Sequence, residues 1–122
     1  MINILSVGVG GFIGATLRYL ISFIPIMETF IFPIKTFFIN ILGCMLIAFI
    51  TIFSIKNVSI SPQLLLFLKV GICGGFTTFS TFALETTDLL KAGHISTAFI
   101  YVFLSILVGV ISIIFIEYLS VK

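Results

Sequence analysis

The sequence contains a polar stretch inside an apolar segment that is long enough to cross a bilayer. Residues 71–85 read GICGGFTTFSTFALE and combine three glycines with four hydroxyl side chains and with Phe79 and Phe82, which are three residues apart. Adjacent glycines disfavour a continuous helix, so the stretch predicts an interruption. An interruption in hydrocarbon leaves backbone groups that must be covered by protein or line a wet cavity or an ion site. The stretch therefore predicts an ion or solute site near the bilayer midplane.

Composition places this stretch in an integral membrane protein. Of the 122 residues, 61% are hydrophobic and 8% are charged, and the mean hydropathy is +1.42. A soluble domain of this size does not need so much apolar surface. The first apolar segment has no basic region before it and no signal-peptide cleavage site, which indicates a retained span. The net charge of +2 is dispersed rather than clustered, so nucleic acid is not an expected partner.

We predict an all-α fold with a single transmembrane domain. The third predicted span is longer than one crossing requires, which fits a helix that is interrupted partway across the membrane. We place this interruption near residues 73–80 and assign it to the glycines at positions 71, 74 and 75. The alternative is that these glycines form a close-packed helix interface, as Gly10 and Gly14 can in the first span. The four spans are predicted at about residues 4–24, 36–55, 62–90 and 95–116.

Polar residues in the other spans each have two interpretations. Arg18 either reaches the membrane surface or caps a neighbouring helix, or it forms an electropositive vestibule that concentrates anions. Asn40 either hydrogen-bonds to another helix or lines a polar path. One face of the fourth span is either a packing seam or a row of hydroxyls beside a path. That face carries Tyr101, Ser105, Gly109 and Ser112.

Positively charged residues do not favour one orientation of the predicted spans. Lys56 and Lys122 fall on one side of the membrane, whereas Lys35 and Lys91 fall on the other. A chain without this bias can insert both ways up, and two opposed copies form an antiparallel two-fold dimer. Because four helices from one chain enclose little space, we expect a conduit to need two chains.

The polar stretch suits two kinds of ion. Backbone carbonyls freed by an interruption suit a small hard cation. The rings of Phe79 and Phe82 have positive edges that can stabilise a small anion. Further hydrogen-bond donors to such an anion are the side-chain amide of Asn40 and the hydroxyls of Thr78, Ser80, Thr81 and Ser105.

The chain resembles the CrcB/Fluc family of fluoride channels over essentially its whole length. Three motifs carry the resemblance: GVGGFIGATLRY (8–19), KTFFINILGCMLIA (35–48) and GICGGFTTFSTFALE (71–85). The third motif is highly specific, and the first two are individually moderate. The resemblance implies an antiparallel, dual-topology homodimer in the bacterial cell membrane, with two pores beside its two-fold axis. It also implies passive, fluoride-selective export that protects the cell from fluoride toxicity.

The resemblance also implies roles for individual residues. A structural sodium ion, which is not transported, would be held by main-chain oxygens of Gly74 and Thr77 from each chain. Arg18 matches the family's arginine near a vestibule. Some family members pair with the product of a second gene, so a heterodimer with a paralogue is the alternative to a homodimer. The residues that match the family's pore are Asn40, Phe79 and Phe82, with a looser match at Ser105 and Ser112.

Two other functions remain open from the residues alone. A proton-coupled exporter resembling the small multidrug resistance family would also have four spans and dual orientation. Such an exporter needs a buried carboxylate in its first span, where this chain has Arg18 and no acid. A structural membrane subunit is the other alternative. The sequence offers no nucleophile–base pair, metal-ligand cluster or phosphate loop that would indicate an enzyme. Cys44 and Cys73 are interpreted as small buried hydrophobes rather than as a disulfide.

Overall fold

The structure is a computed structural model that describes residues 1–25, 30–57 and 59–121. Four helical segments in this part of the chain are long and apolar enough to cross a membrane, which confirms the predicted all-α membrane fold. Lys122, which the sequence places on the same side of the membrane as Lys56, lies outside the described residues. The helices are α1 (Ile2–Ser22), α2 (Ile34–Lys56), α3 (residues 62–76), α4 (Phe79–Lys91) and α5 (Ile95–Val121).

Helix α3 changes its hydrogen-bonding pattern along its length. It begins with the α-helical turn Pro62–Leu65, continues as the π-helix Leu66–Cys73, and ends with the α-helical turn Gly74–Phe76. The hydroxyl oxygen of Ser61 caps its start by accepting a hydrogen bond from the Leu64 N–H at 3.2 Å. The sequence analysis did not predict the π-helix, which is a rare conformation that is often found at functional sites.

The chain is extended between α3 and α4. Thr77 has φ −77° and ψ 158°, and Thr78 has φ −149° and ψ 114°. Residues 62–91 therefore form two helices that are separated by two extended residues. The hydroxyl oxygen of Thr78 accepts a hydrogen bond from the Thr81 N–H at 3.2 Å and so caps the start of α4.

The glycines do not form this interruption, which corrects the assignment made from the sequence. Gly71 lies in the π-helix, and Gly74 and Gly75 lie in the following α-helical turn. A Cβ atom built on Gly71 would lie 2.7 Å from the Cα of Gly10, and one on Gly75 would lie 2.6 Å from the carbonyl oxygen of Gly11. Positions 71 and 75 therefore need glycine because α3 packs directly against α1. This is the close-packed helix interface that the sequence offered as the alternative.

Two glycines in the other helices also permit close contacts. A Cβ atom on Gly43 of α2 would collide with the methyl group of Thr77, so this glycine makes room for the extended residues. A Cβ atom on Gly109 of α5 would lie 3.3 Å from the sulfur of Cys44 on α2. The fourth span therefore uses Gly109 in a packing seam with α2.

Tyr101 of α5 is the centre of the core at one end of the bundle. Its side chain is fully buried and clusters with Leu89 and Ala98. The ring of Phe82 lies beside it, with ring centroids 5.0 Å apart. This contact fixes α4 against α5 and sets the position of the first residues after the interruption.

Candidate ion path

Asn40 of α2 holds the interruption in place. Its Oδ1 accepts a hydrogen bond from the Thr78 N–H at 2.9 Å, and its Nδ2 donates one to the Thr78 carbonyl oxygen at 3.2 Å. One side chain thus satisfies both backbone groups of an extended residue, as the apolar surroundings of a membrane demand. The second N–H of this amide remains as a donor. The structure therefore supports the cross-helix interpretation of Asn40 and leaves it a further donor.

The hydrogen bonds around the interruption also affect two carbonyl groups. In a continuous helix, the N–H of Thr78 would bond to the carbonyl of Gly74, and the N–H of Thr81 would bond to that of Thr77. Here the first N–H is donated to Asn40 and the second to the Thr78 hydroxyl. The carbonyls of Gly74 and Thr77 therefore lose the amide partners that a continuous helix would provide.

One cavity of about 420 Å³ brings together most of the predicted site residues. We call it the phenylalanine cavity. It lies against the interruption, and helices α2, α3, α4 and α5 contribute to its wall. Its lining includes the predicted residues Asn40, Gly74, Thr77, Thr78, Phe79, Phe82 and Ser105.

The two phenylalanines lie side by side in this cavity but differ in their surroundings. Their ring centroids are 5.8 Å apart, with an angle of 42° between the ring planes. Phe82 is partly buried because its other side packs against Tyr101. Phe79 is 79% exposed in the single chain. The ring of Phe79 is therefore available to a partner chain or to an ion, whereas that of Phe82 is anchored.

Ser105 is the polar one of the two described fourth-span residues that line the phenylalanine cavity, the other being Ile106. Its hydroxyl oxygen is buried and has no hydrogen-bond partner among the described residues. A buried hydroxyl without a partner is costly, so this group is suited to a bound ion or water. Ser112 differs because its hydroxyl donates to the carbonyl oxygen of Gly109 at 2.9 Å, on its own helix.

A second cavity, of about 370 Å³, meets the interruption at Thr78. We call it the arginine cavity, since Arg18 and Lys35 line it together with Glu85 and Thr81. The Nε of Arg18 is buried and has no hydrogen-bond partner among the described residues. Such an arrangement favours the vestibule interpretation of Arg18, because an unsatisfied cationic donor attracts anions.

Thr78 is the one residue that the two cavities share among their described linings. Its hydroxyl also donates to that of Thr81 at 3.0 Å, and the Ser80 hydroxyl lies 3.4 Å away. Thr81 lines the arginine cavity, whereas Ser80 is exposed and lines neither cavity. The interruption thus forms the partition between an electropositive cavity and a cavity lined by aromatic rings.

Glu85 has a structural position that the sequence analysis did not predict. Its Oε1 accepts a hydrogen bond from the Thr36 hydroxyl at 2.7 Å, and its Oε2 accepts one from the Tyr101 hydroxyl at 2.8 Å. Both donors are buried, so the carboxylate ties α4 to α2 and α5 at the edge of the arginine cavity. The signal was present in the sequence, because an acid within a span is usually paired or functional.

Comparison of the sequence with known proteins finds a matching family and curated relatives. The family described as CrcB-like protein, Camphor Resistance (CrcB), matches residues 5–116. Three curated relatives, each named fluoride-specific ion channel FluC, come from Azobacteroides pseudotrichonymphae, Ruminiclostridium cellulolyticum and Clostridium perfringens. They are 40%, 47% and 51% identical to this chain over 108, 107 and 94 residues. These alignments cover 88%, 87% and 75% of this chain and 86%, 82% and 73% of the relatives.

The family match over residues 5–116 includes every residue that lines the two cavities and most of the four helical spans. The family match contains the three motifs on which the resemblance was based. The relatives' name is that of an ion channel rather than an enzyme, in agreement with the prediction for this chain. The chain therefore belongs to the CrcB family of multi-pass membrane proteins.

Proposed function

We propose that this chain is a fluoride channel that lets fluoride leave the bacterial cell passively and so relieves fluoride toxicity. The observation that carries the proposal is the interruption itself. It stands between an electropositive cavity and a cavity with aromatic rings, and it is held by an amide that keeps a free donor. The name shared by the curated relatives supports the choice of fluoride.

An anion would meet a series of weak donors along this route. Arg18 would raise the anion concentration in the arginine cavity. The Thr81 hydroxyl accepts the hydrogen bond of the Thr78 hydroxyl and keeps its own O–H as a donor at the partition, and the second N–H of Asn40 lies beyond it. The ring edges of Phe79 and Phe82 and the unpartnered hydroxyl of Ser105 would then replace water around the ion. Many weak contacts allow an ion both to enter and to leave.

A sodium ion is proposed as a structural component of the assembly. The carbonyls of Gly74 and Thr77 fit this role, because the amides that would bond them in a helix are used elsewhere. Backbone carbonyl oxygens are suitable ligands for a hard cation. Bound there, sodium would neutralise the partial negative charges of these carbonyls and hold two interruptions together. The ion would remain in place and would not be transported.

The functional unit is proposed to be an antiparallel homodimer. The exposed ring of Phe79 and the open space around Gly74 form a face of α3 and α4 that a second chain would cover. Ser80, exposed next to Phe79, would also lie on this face and reach the pore of the assembly. A heterodimer with a paralogue is the alternative. Activity of the protein purified alone distinguishes the two assemblies.

Fluoride efflux from proteoliposomes tests the proposal. Vesicles containing the purified chain should release fluoride when a potassium ionophore balances the charge, and they should do so without a proton gradient. An established fluoride channel reconstituted in parallel is the control. If these vesicles release no fluoride while the control conducts, the proposal is wrong. Strict dependence of the release on a proton gradient would favour the proton-coupled exporter.

A further inference from the structure

Lys69 is a charged residue of the phenylalanine cavity to which the proposed path assigns no role. It lies in the π-helix of α3 and is half-buried. Among the described residues that line this cavity, it is the one that carries a charge. Its ammonium group has no hydrogen-bond or ion-pair partner in the part of the chain that the structure describes. An unpaired lysine in a span needs a physical reason.

The position of Lys69 along α3 puts its charge near the mouth of the cavity. The residue stands seven positions after Pro62, which is on the order of 10 Å along a helix. Helical side chains point towards the N-terminus of their helix, so the long stem leads back towards Pro62 and the membrane surface. The ammonium group can therefore stay hydrated while the stem lines the apolar wall.

Arg18 and Lys69 lie in different cavities on the two sides of the same partition. Arg18 lines the arginine cavity and Lys69 the phenylalanine cavity, and Thr78 separates them. Each cavity thus has a cationic side chain in its lining, Arg18 with Lys35 in the arginine cavity and Lys69 in the phenylalanine cavity. A cation at the mouth of a cavity with low-dielectric walls raises the local concentration of anions and lowers that of cations.

We propose that Lys69 is a second anion-collecting residue, which raises fluoride throughput by concentrating the ion at the mouth of the phenylalanine cavity. This role rests on the proposed fluoride channel and adds to it a residue that sets the rate and the preference for anions. It predicts an effect of charge rather than of shape. Arginine at this position should therefore preserve fluoride flux, whereas a neutral side chain of similar length should lower it.

The experiment compares fluoride efflux from proteoliposomes for wild type, Lys69→Gln, Lys69→Arg and Lys91→Gln. Lys91 is exposed at the end of α4 and lines neither cavity, so Lys91→Gln removes the same charge elsewhere. At low ionic strength, Lys69→Gln should conduct roughly tenfold more slowly than wild type. The deficit should shrink as salt rises, because the Debye length falls from about 30 Å at 0.01 M to about 3 Å at 1 M. Lys69→Arg and Lys91→Gln should match wild type.

Three results would overturn the inference while leaving the proposed function intact. The first is wild-type flux in Lys69→Gln at every ionic strength. The second is a deficit that does not change with salt or that Lys91→Gln shares. The third is a loss of thermal stability in Lys69→Gln relative to Lys91→Gln, since the ammonium group would then be structural. A wild-type protein that conducts no fluoride would overturn both the inference and the proposed function.

Discussion

Asn40 links the two properties that a broken membrane helix requires, a stable backbone and a polar surface. Its amide bonds to both backbone groups of Thr78, and it lines the phenylalanine cavity. A helix that unwinds in hydrocarbon is stable only when such partners exist. The residue that secures the interruption therefore also presents a donor to the ion path, and the two roles cannot be separated by deletion of the side chain.

Replacement of Asn40 should separate them in part. Asn40→Ala leaves the N–H and the carbonyl of Thr78 without partners, at a cost of about 1–3 kcal/mol for each buried group. Asn40→Asp keeps the acceptor and loses the donor. We expect Asn40→Ala to lower the thermal unfolding temperature in detergent and to abolish fluoride flux. Asn40→Asp should also abolish flux but should lower the unfolding temperature less.

Asn57→Ala provides the control for these variants. Asn57 also has an amide side chain, but it follows the last residue of α2, is exposed, and donates from Nδ2 to the carbonyl oxygen of Phe53 at 2.9 Å. Its replacement should leave flux and stability close to wild type. An Asn40→Ala protein as stable as Asn57→Ala would contradict the role of Asn40 in holding the interruption.

The two phenylalanines should respond differently to replacement by isoleucine. Both substitutions remove a ring from the phenylalanine cavity, so both should cut fluoride flux sharply while the dimer persists. Phe82→Ile also removes the ring contact with Tyr101 and should cost about 0.5–1.5 kcal/mol of stability beyond the loss of buried area. Phe79→Ile should leave the stability of the single chain unchanged, because this ring is 79% exposed.

Flux and unfolding measurements check this difference, with Phe103→Ile as the matched control. Phe103 is 63% exposed on α5 and lines neither cavity. Its replacement should change neither quantity. Undiminished flux in both Phe79→Ile and Phe82→Ile would reduce these rings to a packing role.

At the scale of the helices, apolar length was sufficient to predict the four spans. The interruption, Thr77 and Thr78, lies within the predicted range 73–80, but its attribution to the glycines was wrong. A glycine in a sequence indicates either an unusual backbone or a close approach, and the letter alone does not distinguish them. Gly71, Gly74 and Gly75 all lie in helical segments, and Gly71 and Gly75 allow α1 to approach. Among the described residues, Gly93 in the third connection is the glycine that has positive φ.

The interruption itself depends on contacts between residues that are far apart in sequence. The N–H of Thr78 donates to the side chain of Asn40, which is 38 positions earlier. The Thr77 side chain fits because residue 43 is a glycine without a Cβ atom. Local propensity does not contain this information. The same limit applies to Glu85, whose two donors come from α2 and α5. Most of the residues selected by type therefore line one cavity, whereas the hydrogen bonds between them required the fold.

At the scale of the whole molecule, the charges at the ends of the helices agree with the two-sided distribution predicted from the sequence. Lys35 donates to the carbonyl oxygen of Ser22 at 2.8 Å, where α1 ends and α2 begins. Lys56 donates to that of Ser120 at 2.7 Å, where α2 and α5 end. Positive groups thus secure helix ends at both surfaces. A distribution of this kind is compatible with insertion in either orientation, which the proposed antiparallel dimer requires.

The open space beside Gly74 provides a test of assembly that does not disturb the single chain. A Cβ atom built on Gly74 meets no atom within 4 Å in the chain. Alanine is also the better helix former by about 0.8–1.0 kcal/mol. Gly74→Ala should therefore fold. In the proposed dimer, however, the two added methyl groups would stand beside the carbonyls that are proposed to bind sodium.

We expect sodium to stabilise the wild-type protein and to have little effect on Gly74→Ala. An ion that binds only the folded dimer stabilises it by about 2.7 kcal/mol at a concentration 100 times its dissociation constant. Unfolding temperature and fluoride flux should be measured with sodium and with a large organic cation in its place. Gly8→Ala, at an exposed position of α1 where a Cβ atom also meets no atom, should keep the wild-type response. If sodium changes neither the unfolding temperature nor the flux of the wild-type protein, the proposed sodium site is wrong. If Gly74→Ala keeps the sodium response, Gly74 lies away from the dimer axis.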